Sequence, residues 1–401
     1  MESKRTGKAV VTGGSIGGLF AAISLIRAGW DVTLYERSDV ELAGRGAGIV
    51  THDRLIVALE AVGADTCDLG VHVDMRTVFD RAGAIVSQQR YPQIVTSWDR
   101  MHRILRALMP EGSYHLGRAV TGYENRDDCV LITLDDGTTE VADVLIGADG
   151  FRSAVRGQMH PDIQPVYSGY VVWRALADEA ALPRDVRARV FPDFGFFLPN
   201  NTQMIGYPIA GKDNDLREGH RQYNFVWYAA FDDSALRDML TDATGRTHAL
   251  SIPPPLIRDD VLDAMLEAAR GLLPPEIFDV LESGKRPFFT PIYDHWSPDF
   301  ADGRVALAGD AACVARPHVG MGVTKAAEDA LALARHLDAS DVTGALRAYS
   351  DERAPLSRDA RDLGQRLGSY IFDVRDPANE DGRAHPQMDA IVRETAAILD
   401  D

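Results

Sequence analysis

The sequence predicts an α/β fold in which a mostly antiparallel sheet interrupts a parallel one. Two observations carry this. Three short apolar runs, KAVVT at Lys8–Thr12, VLIG at Val144–Gly147 and RVALAG at Arg304–Gly309, each lead into a turn containing glycine or aspartate. Such runs suit strands buried on both faces. Between the second and third runs the character changes. From Val166 to Tyr228 the segments YSGYVVWRAL, VFPDFGFFLP, TQMIGYPI and YNFVWYAAF are aromatic and alternating. This suits antiparallel strands with one face on something apolar.

The elements follow in order. After Thr12 comes the turn Gly13–Leu19, GGSIGGL, and then an apolar helix pattern that Gly29 closes. DVTLY at Asp31–Tyr35 is a second strand and ends at Glu36. A strand, glycine turn, helix and strand with a terminal acid can hold a dinucleotide. Backbone amides approach its pyrophosphate at the helix N-terminus, and the acid takes ribose hydroxyls. In the G-x-G-x-x-G pattern the positions are Gly13, Ser15 and Gly18, with serine replacing the second glycine. Arg45–Ile49, RGAGI, is a compact turn able to cradle an anionic or planar ligand, and also an ordinary turn pattern.

Val71–Gln89 carries strand signal, and Trp98–Met109 is helical with Met101, Leu105 and Leu108 on one face. Strands are expected at Val120–Glu124, Cys129–Leu134 and Thr139–Ala142. The run ending Ala148-Asp149-Gly150 then enters a helix bearing Arg152 and Arg156. Helices are expected near Ser234–Asp242 and Arg258–Gly271. The third apolar run ends in Gly309-Asp310 and leads through Cys313 and His318 to Gly320-Met321-Gly322, where a long amphipathic helix starts. Its free N–H groups suit partial negative charge on a ligand. Beyond Asp373 the chain reads as a solvated polar tail with a last helix at Gln387–Leu399.

Composition bounds the function. Of 401 residues, 45% are apolar and 25% charged, enough for a large core. Lys plus Arg total 42 against 60 Asp plus Glu, a net charge of −18. That argues against nucleic acid and gives no support for an anionic membrane. Cys67, Cys129 and Cys313 form no CxxC pair, so no zinc knuckle or disulfide framework is expected. The polar start, the absence of a signal-peptide pattern and the lack of an apolar run near ~20 residues lead to the expectation of a cytoplasmic protein.

Three motifs occur in order: GGSIGGL with Glu36, GADGFRSAVR at Gly147–Arg156, and GDAA at Gly309–Ala312. This order resembles the single-component flavoprotein aromatic hydroxylases, the p-hydroxybenzoate hydroxylase family. The GGS turn, YSGYVVWR at Tyr167–Arg174 and Arg316-Pro317-His318 beyond GDAA are similar to its 2,6-dihydroxypyridine 3-hydroxylase branch. The resemblance implies a Rossmann-like FAD-binding domain with an inserted, mostly antiparallel substrate domain. The FAD part would comprise 1–70, 96–165 and 288–375, the substrate part 71–95 and 166–287, with 376–401 as the tail.

Carried onto this chain, the resemblance implies FAD contacts by Gly13, Ser15, Ile16, Gly18, Glu36 and Arg37 on the nucleotide side. Arg45, Ala47 and Gly48 would lie along the flavin, with Arg100, Asp149, Gly150 and Asp310 serving the cofactor's middle. Pro317, Gly320, Met321, Gly322 and Val323 would meet the flavin ring. Two positions depart from the family: Trp98 stands where an arginine is usual, with Arg100 as its substitute, and Thr324 stands where asparagine is usual.

The implied activity is ring hydroxylation with O2, NADH or NADPH as transient reductant, and a flavin C4a-hydroperoxide as oxygen donor. The substrate would be a small electron-rich aromatic or N-heteroaromatic ring. His318 is the leading candidate for acid/base work, with Tyr207 and Tyr228 as candidates to bond a ring hydroxyl. Arg174 reads as a buried cation, paired structurally or facing substrate. A homodimer is compatible with the family. A flavin-dependent reductase or dehydrogenase on this fold, or a flavin-bound redox module without hydroxylation, are the alternatives. Oxygen dependence and a hydroxylated product separate them.

Overall fold

The computed structural model describes residues 7–42, 48–338, 341–372 and 386–397. Its first sheet has six strands in the order Ala301–Asp302, Val305–Leu307, Val144–Gly147, Lys8–Thr12, Asp31–Glu36, Tyr114–Leu116. All neighbours are parallel except at the Ala301–Asp302 edge. The three apolar runs therefore lie side by side in its centre. Their side chains are almost completely buried, with Ala9, Val10, Val11, Val144, Leu145, Ile146 and Val305 at 0% exposure. Chain order reverses on either side of Lys8–Thr12, so a crevice opens outside the carboxyl ends of these strands.

The second sheet has nine strands: Cys313–Val314, Phe288–Trp296, Val166–Asp178, Gln222–Ala230, Thr202–Ile209, Phe194–Phe197, Val71–Phe79, Ile85–Ser97 and Gly48–Val50. Only Phe194–Phe197 beside Val71–Phe79 is parallel. Alternation sorts its two faces. Val171, Trp173, Ala175 and Ala177 pack with Leu262 and Met265 of the helix Asp259–Leu272 and Ile277 of the helix Pro275–Glu282. Tyr170 and Val172 point the other way, into a cluster with Phe194, Ile205, Tyr207, Val226 and Tyr228. A third sheet, Val120–Asn125, Val130–Leu134 and Thr139–Ala142, matches the strands read from sequence.

Two boundaries differ from expectation. Phe288–Trp296, read as part of the nucleotide portion, pairs along Val166–Asp178, with Phe289 opposite Trp173. The strand read as ending at Gln89 runs on to Ser97. Pro92 argues against a central strand, because it cannot donate to the ladder. Here the register shifts between the pairs Val73–Gln93 and Met75–Arg90, so Pro92 falls in an irregularity that needs no donor. The helix Trp98–Arg106 then starts at Ser97, whose hydroxyl accepts the Arg100 N–H at 3.1 Å.

Candidate active site

The nucleotide end of the crevice is built from backbone. Gly13 has φ +105°, and a Cβ there would lie 2.2 Å from the Ala148 carbonyl oxygen. A Cβ on Gly18 would lie 1.7 Å from the Gly13 carbonyl oxygen. Both positions exclude a side chain. Ser15 begins the helix Ile16–Arg27 in extended conformation, and its hydroxyl makes no capping bond. The first helical hydrogen bond runs from the Leu19 N–H to the Ser15 carbonyl, which leaves the preceding amides without helical partners. Tyr114 donates to the Gly14 carbonyl at 3.1 Å and holds the turn.

Glu36 is buried and accepts the Gly14 N–H at 2.7 Å and the Ser38 N–H at 2.8 Å. A carboxylate keeps further lone pairs for a ribose hydroxyl. On the facing wall Asp149 accepts the Ala154 N–H through Oδ2 at 2.7 Å. Its Oδ1 is buried with no partner among the described residues. Burial raises the Asp149 carboxyl above the usual range. Gly13, Ser15, Glu36, Arg37, Asp149 and Gly150 line a crevice of about 580 Å3, joined by Trp98, Phe151, Arg152 and Ser251.

Some side chains at expected contact positions point elsewhere. The Ile16 side chain is in the core at 3% exposure, which leaves its backbone amide at the helix start as the group available to a ligand. Arg100 is turned away from the crevice: its Nη2 donates to the Cys67 carbonyl at 3.1 Å. Arg100 is absent from the lining of this crevice. Arg156 is buried and donates to the Ala311 and Phe151 carbonyls, pinning two loops. Arg45 and Ala47 lie outside the described residues.

The ring end is a second cavity, of about 250 Å3, between the two large sheets. Asp310, Pro317, Gly320, Gly322 and Val323 line it together with Arg174, Phe194, Ile205, Tyr207, Val226 and Tyr228 of the nine-stranded sheet and with Gly48, which packs against Tyr207 and donates its N–H to Asn224 at 3.2 Å. Met321, expected on the flavin, is half-buried beside this wall and does not line it. Gly309 has φ +59°, and ion pairs hold its turn from below. Asp329 accepts the Gly309 N–H at 3.0 Å and Arg353 Nε at 2.8 Å, while Lys325 Nζ reaches the Gly309 carbonyl at 2.9 Å and Asp329 at 3.1 Å. All three charged side chains are buried.

His318 does not line this cavity. It is 1% exposed, shares a 2.9 Å hydrogen bond from Nε2 with the Tyr170 hydroxyl, and packs 4.2 Å from the Tyr228 ring. Burial and the neighbouring Arg316 push its pKa down to about 3. It is therefore a neutral spacer behind Tyr228, and its conjugate acid is too strong for a base working near neutrality. Tyr207 stacks on Phe194 at 4.8 Å and 16°, and burial pushes its phenol up to about 12. The Tyr228 phenol is raised as well, by burial. Both stay protonated donors.

Within the tail read as solvated, the described residues 386–397 instead reach the cavity and close it. Arg76, fully buried, donates to the Thr395 carbonyl at 2.7 Å and the Ala396 carbonyl at 2.9 Å, and Gln93 reaches Ala396 at 2.9 Å. The Ala396 N–H donates to the His318 carbonyl at 2.8 Å, and Thr395 and Ala396 line the pocket. The sequence signal for this was an arginine alternating with apolar residues in a strand. No local pattern names its partner.

With this geometry in place, comparison with known proteins is decisive. The chain is 32% identical over 355 residues to the 2,6-dihydroxypyridine 3-monooxygenase of Paenarthrobacter nicotinovorans, covering 86% of this chain and 87% of that one. It belongs to the FAD-dependent aromatic-ring monooxygenases of the p-hydroxybenzoate hydroxylase type. Residues 167–294 match the family described as FAD binding domain-like, and residues 291–363 match the FAD binding domain family. A 3-amino-4-hydroxybenzoate 2-monooxygenase of Streptomyces platensis is 32% identical over 375 residues, 89% of this chain and 87% of that one. The solved structure of 2,6-dihydroxypyridine-3-hydroxylase from Arthrobacter nicotinovorans superposes with TM-score 0.87 at 29% identity, over 94% of this chain and 96% of that one.

The residues present fit this monooxygenase's cofactor. The side-chain-free turn at Gly13 and Gly18, the uncapped amides beyond Ser15 and the orphaned Asp149 Oδ1 are what a dinucleotide would complete. FAD, reduced by NADH or NADPH, supplies the redox and oxygen chemistry of this family when bound. No described helix is long and apolar enough to cross a membrane.

Proposed function

We propose that this monooxygenase hydroxylates a small, already hydroxylated ring of the hydroxypyridine or hydroxybenzoate class. The observation that carries this is the composition of the ring-end cavity. A glycine-rich edge at Gly320 and Gly322 faces a wall of Tyr207, Tyr228 and Phe194 across a space of about 250 Å3. A planar aromatic fits between them by stacking and edge contacts. The protonated phenols of Tyr207 and Tyr228 orient ring oxygens as hydrogen-bond donors. Ala396, latched by Arg76 and Gln93, keeps water from the reacting ring. The substrates in the relatives' names, 2,6-dihydroxypyridine and 3-amino-4-hydroxybenzoate, belong to this class.

The three free cysteines support a reducing, cytoplasmic setting. The test is direct. Purified protein is expected to be yellow and to oxidise NADH or NADPH faster, with O2 uptake and a hydroxylated product, when a dihydroxypyridine or hydroxybenzoate is added. A colourless chain that cannot be reconstituted with FAD, or one that no such ring stimulates, overturns the proposal.

A further inference from the structure

Thr395 and Ala396 differ from the rest of the ring-end lining in how they are held. The wall residues Phe194, Ile205, Tyr207, Val226 and Tyr228 sit on strands laddered to a neighbour on each side. The Gly309 turn rests on a buried ion cluster, and Arg316 is paired with Asp294 at 2.6 Å. Thr395 and Ala396 belong to no ladder. They follow the helix Pro386–Glu394, and a few polar contacts fasten them. On the side of the nine-stranded sheet, Arg76 donates to the carbonyls of Val392, Arg393, Thr395 and Ala396, at the end of that helix. On the opposite side, the Ala396 N–H donates to the His318 carbonyl at 2.8 Å. Ala396 also presses on Gly320, where a Cβ would lie 2.8 Å from the Ala396 Cα.

We propose that Pro386–Ala396 is a strap that unlatches to let the ring substrate in and out and relatches over it, with Arg76 as its positioning residue. The assignment rests on the hydroxylase reading above and gives that site its route of entry. Arg76 has no carboxylate partner among the described residues. The strap's carbonyls, the Gln93 side-chain oxygen and the Tyr91 ring at 3.9 Å satisfy it. Carbonyls at a helix C-terminus carry partial negative charge, which suits a buried cation. Bonds to a charged donor are strong, yet releasing them here breaks no strand pairing. Burial lowers the Arg76 pKa to about 10, so the guanidinium stays charged near neutrality. Ala396 opposes this grip. Its φ is +49°, a left-handed conformation disfavoured for a residue with a Cβ. One set of bonds therefore holds the strap shut and one strained residue works against it, as a two-state element requires. A ring in the cavity touches Thr395 and Ala396 only when the strap is closed, so its binding favours closure.

The experiment uses the FAD-loaded protein as wild type, Ala396→Gly, Ala396→Pro and Arg76→Met. Association and dissociation of dihydroxypyridines and hydroxybenzoates are followed by stopped-flow flavin absorbance. Strap opening is followed by hydrogen exchange of the peptide covering residues 386–397. Glycine accepts a positive φ freely, so Ala396→Gly should slow that exchange and lower both ring rates together, each about fivefold. Proline cannot reach a positive φ and lacks the N–H given to His318. Ala396→Pro should therefore raise all three rates about tenfold, and Arg76→Met should do the same. In wild type, a saturating ring should slow exchange in the strap about tenfold and leave the strand Lys8–Thr12 unchanged. A fixed wall behaves differently, because loosening it raises dissociation alone. Dissociation raised with association unchanged, or strap exchange indifferent to the ring, overturns the proposal. If Arg76→Met does not fold, the opposed Ala396 variants decide, and equal ring rates in the two overturn it. Strap kinetics as expected without a hydroxylated product keep this assignment and overturn the hydroxylase reading. A hydroxylated product with ring rates equal in all variants does the reverse.

Discussion

The two ends of the ligand cleft are made of different material. At the nucleotide end, backbone forms the wall: Gly13 and Gly18 leave no room for a Cβ, and the helix from Ile16 presents free amides. At the ring end, side chains from at least four strands converge, among them Arg174, Phe194, Tyr207 and Tyr228. Backbone sites are rigid and intolerant of any added atom. Side-chain sites can be retuned one residue at a time. A constant cofactor at one end and variable rings at the other match this division.

The sharpest way to break the comparison is to add one methyl group at each kind of glycine. Gly18→Ala places Cβ 1.7 Å from a carbonyl oxygen, so the turn must open. Loss of nearly all bound flavin is expected, read as the absorbance ratio of the purified protein. Gly17→Ala meets only the Ala326 methyl at 3.4 Å and should retain flavin close to wild type. Equal flavin content in the two variants would refute the backbone-built site.

Between the two ends, the Gly309 turn rests on Asp329, Lys325 and Arg353. Removing one member of a buried ion cluster leaves uncompensated charge. Asp329→Asn is therefore expected to cost about 3–5 kcal/mol in denaturant unfolding. A loss under about 1 kcal/mol would mean that water reaches this cluster and the turn is not anchored by it.

The ring end also carries buried neutral histidines. Burial, joined by Arg156 for His295 and Arg316 for His318, lowers His295 and His318 to about 3 and His52 to about 4. Their unfolded pKa is about 6.5, so below that pH the unfolded chain binds more protons than the folded one. Stability should fall as pH drops from about 6.5 toward 4, by up to about 1.4 kcal/mol per pH unit for each histidine. Melting temperature followed from pH 7 to 5 checks this. His52→Gln should shallow the slope by removing one contributor; a flat profile would show that the sites admit solvent.

What the sequence made legible follows the same division. Gly13, Ser15, Gly18 and Glu36 are close in the chain, and their spacing states their use. The ring end assembles residues more than two hundred positions apart. Alternation identified its strands, but could not say that Tyr207 and Tyr228 line a cavity while His318 stands behind it. Arg100 and His318 looked functional because they sit beside motifs; a hydrogen bond to Cys67 and one to Tyr170 redirect them. The latch from Arg76 to Ala396 spans 320 positions and leaves no local trace.

The finest test concerns one hydroxyl. Tyr228 lies on the cavity wall, its ring fixed between Tyr170 at 6.1 Å and His318 at 4.2 Å. No described residue hydrogen-bonds its phenol oxygen, so the ring keeps its place when that oxygen is removed. Tyr228→Phe should thus leave folding and flavin content unchanged and cost only the bond to a ring oxygen, about 1 kcal/mol or some fivefold in kcat/KM. That loss should fall mainly on KM, because a donor to an existing ring oxygen acts before and during reaction alike. If kcat falls instead and KM holds, Tyr228 acts on charge that develops during oxygen transfer. The ring end would then share in the chemistry as well as in selection.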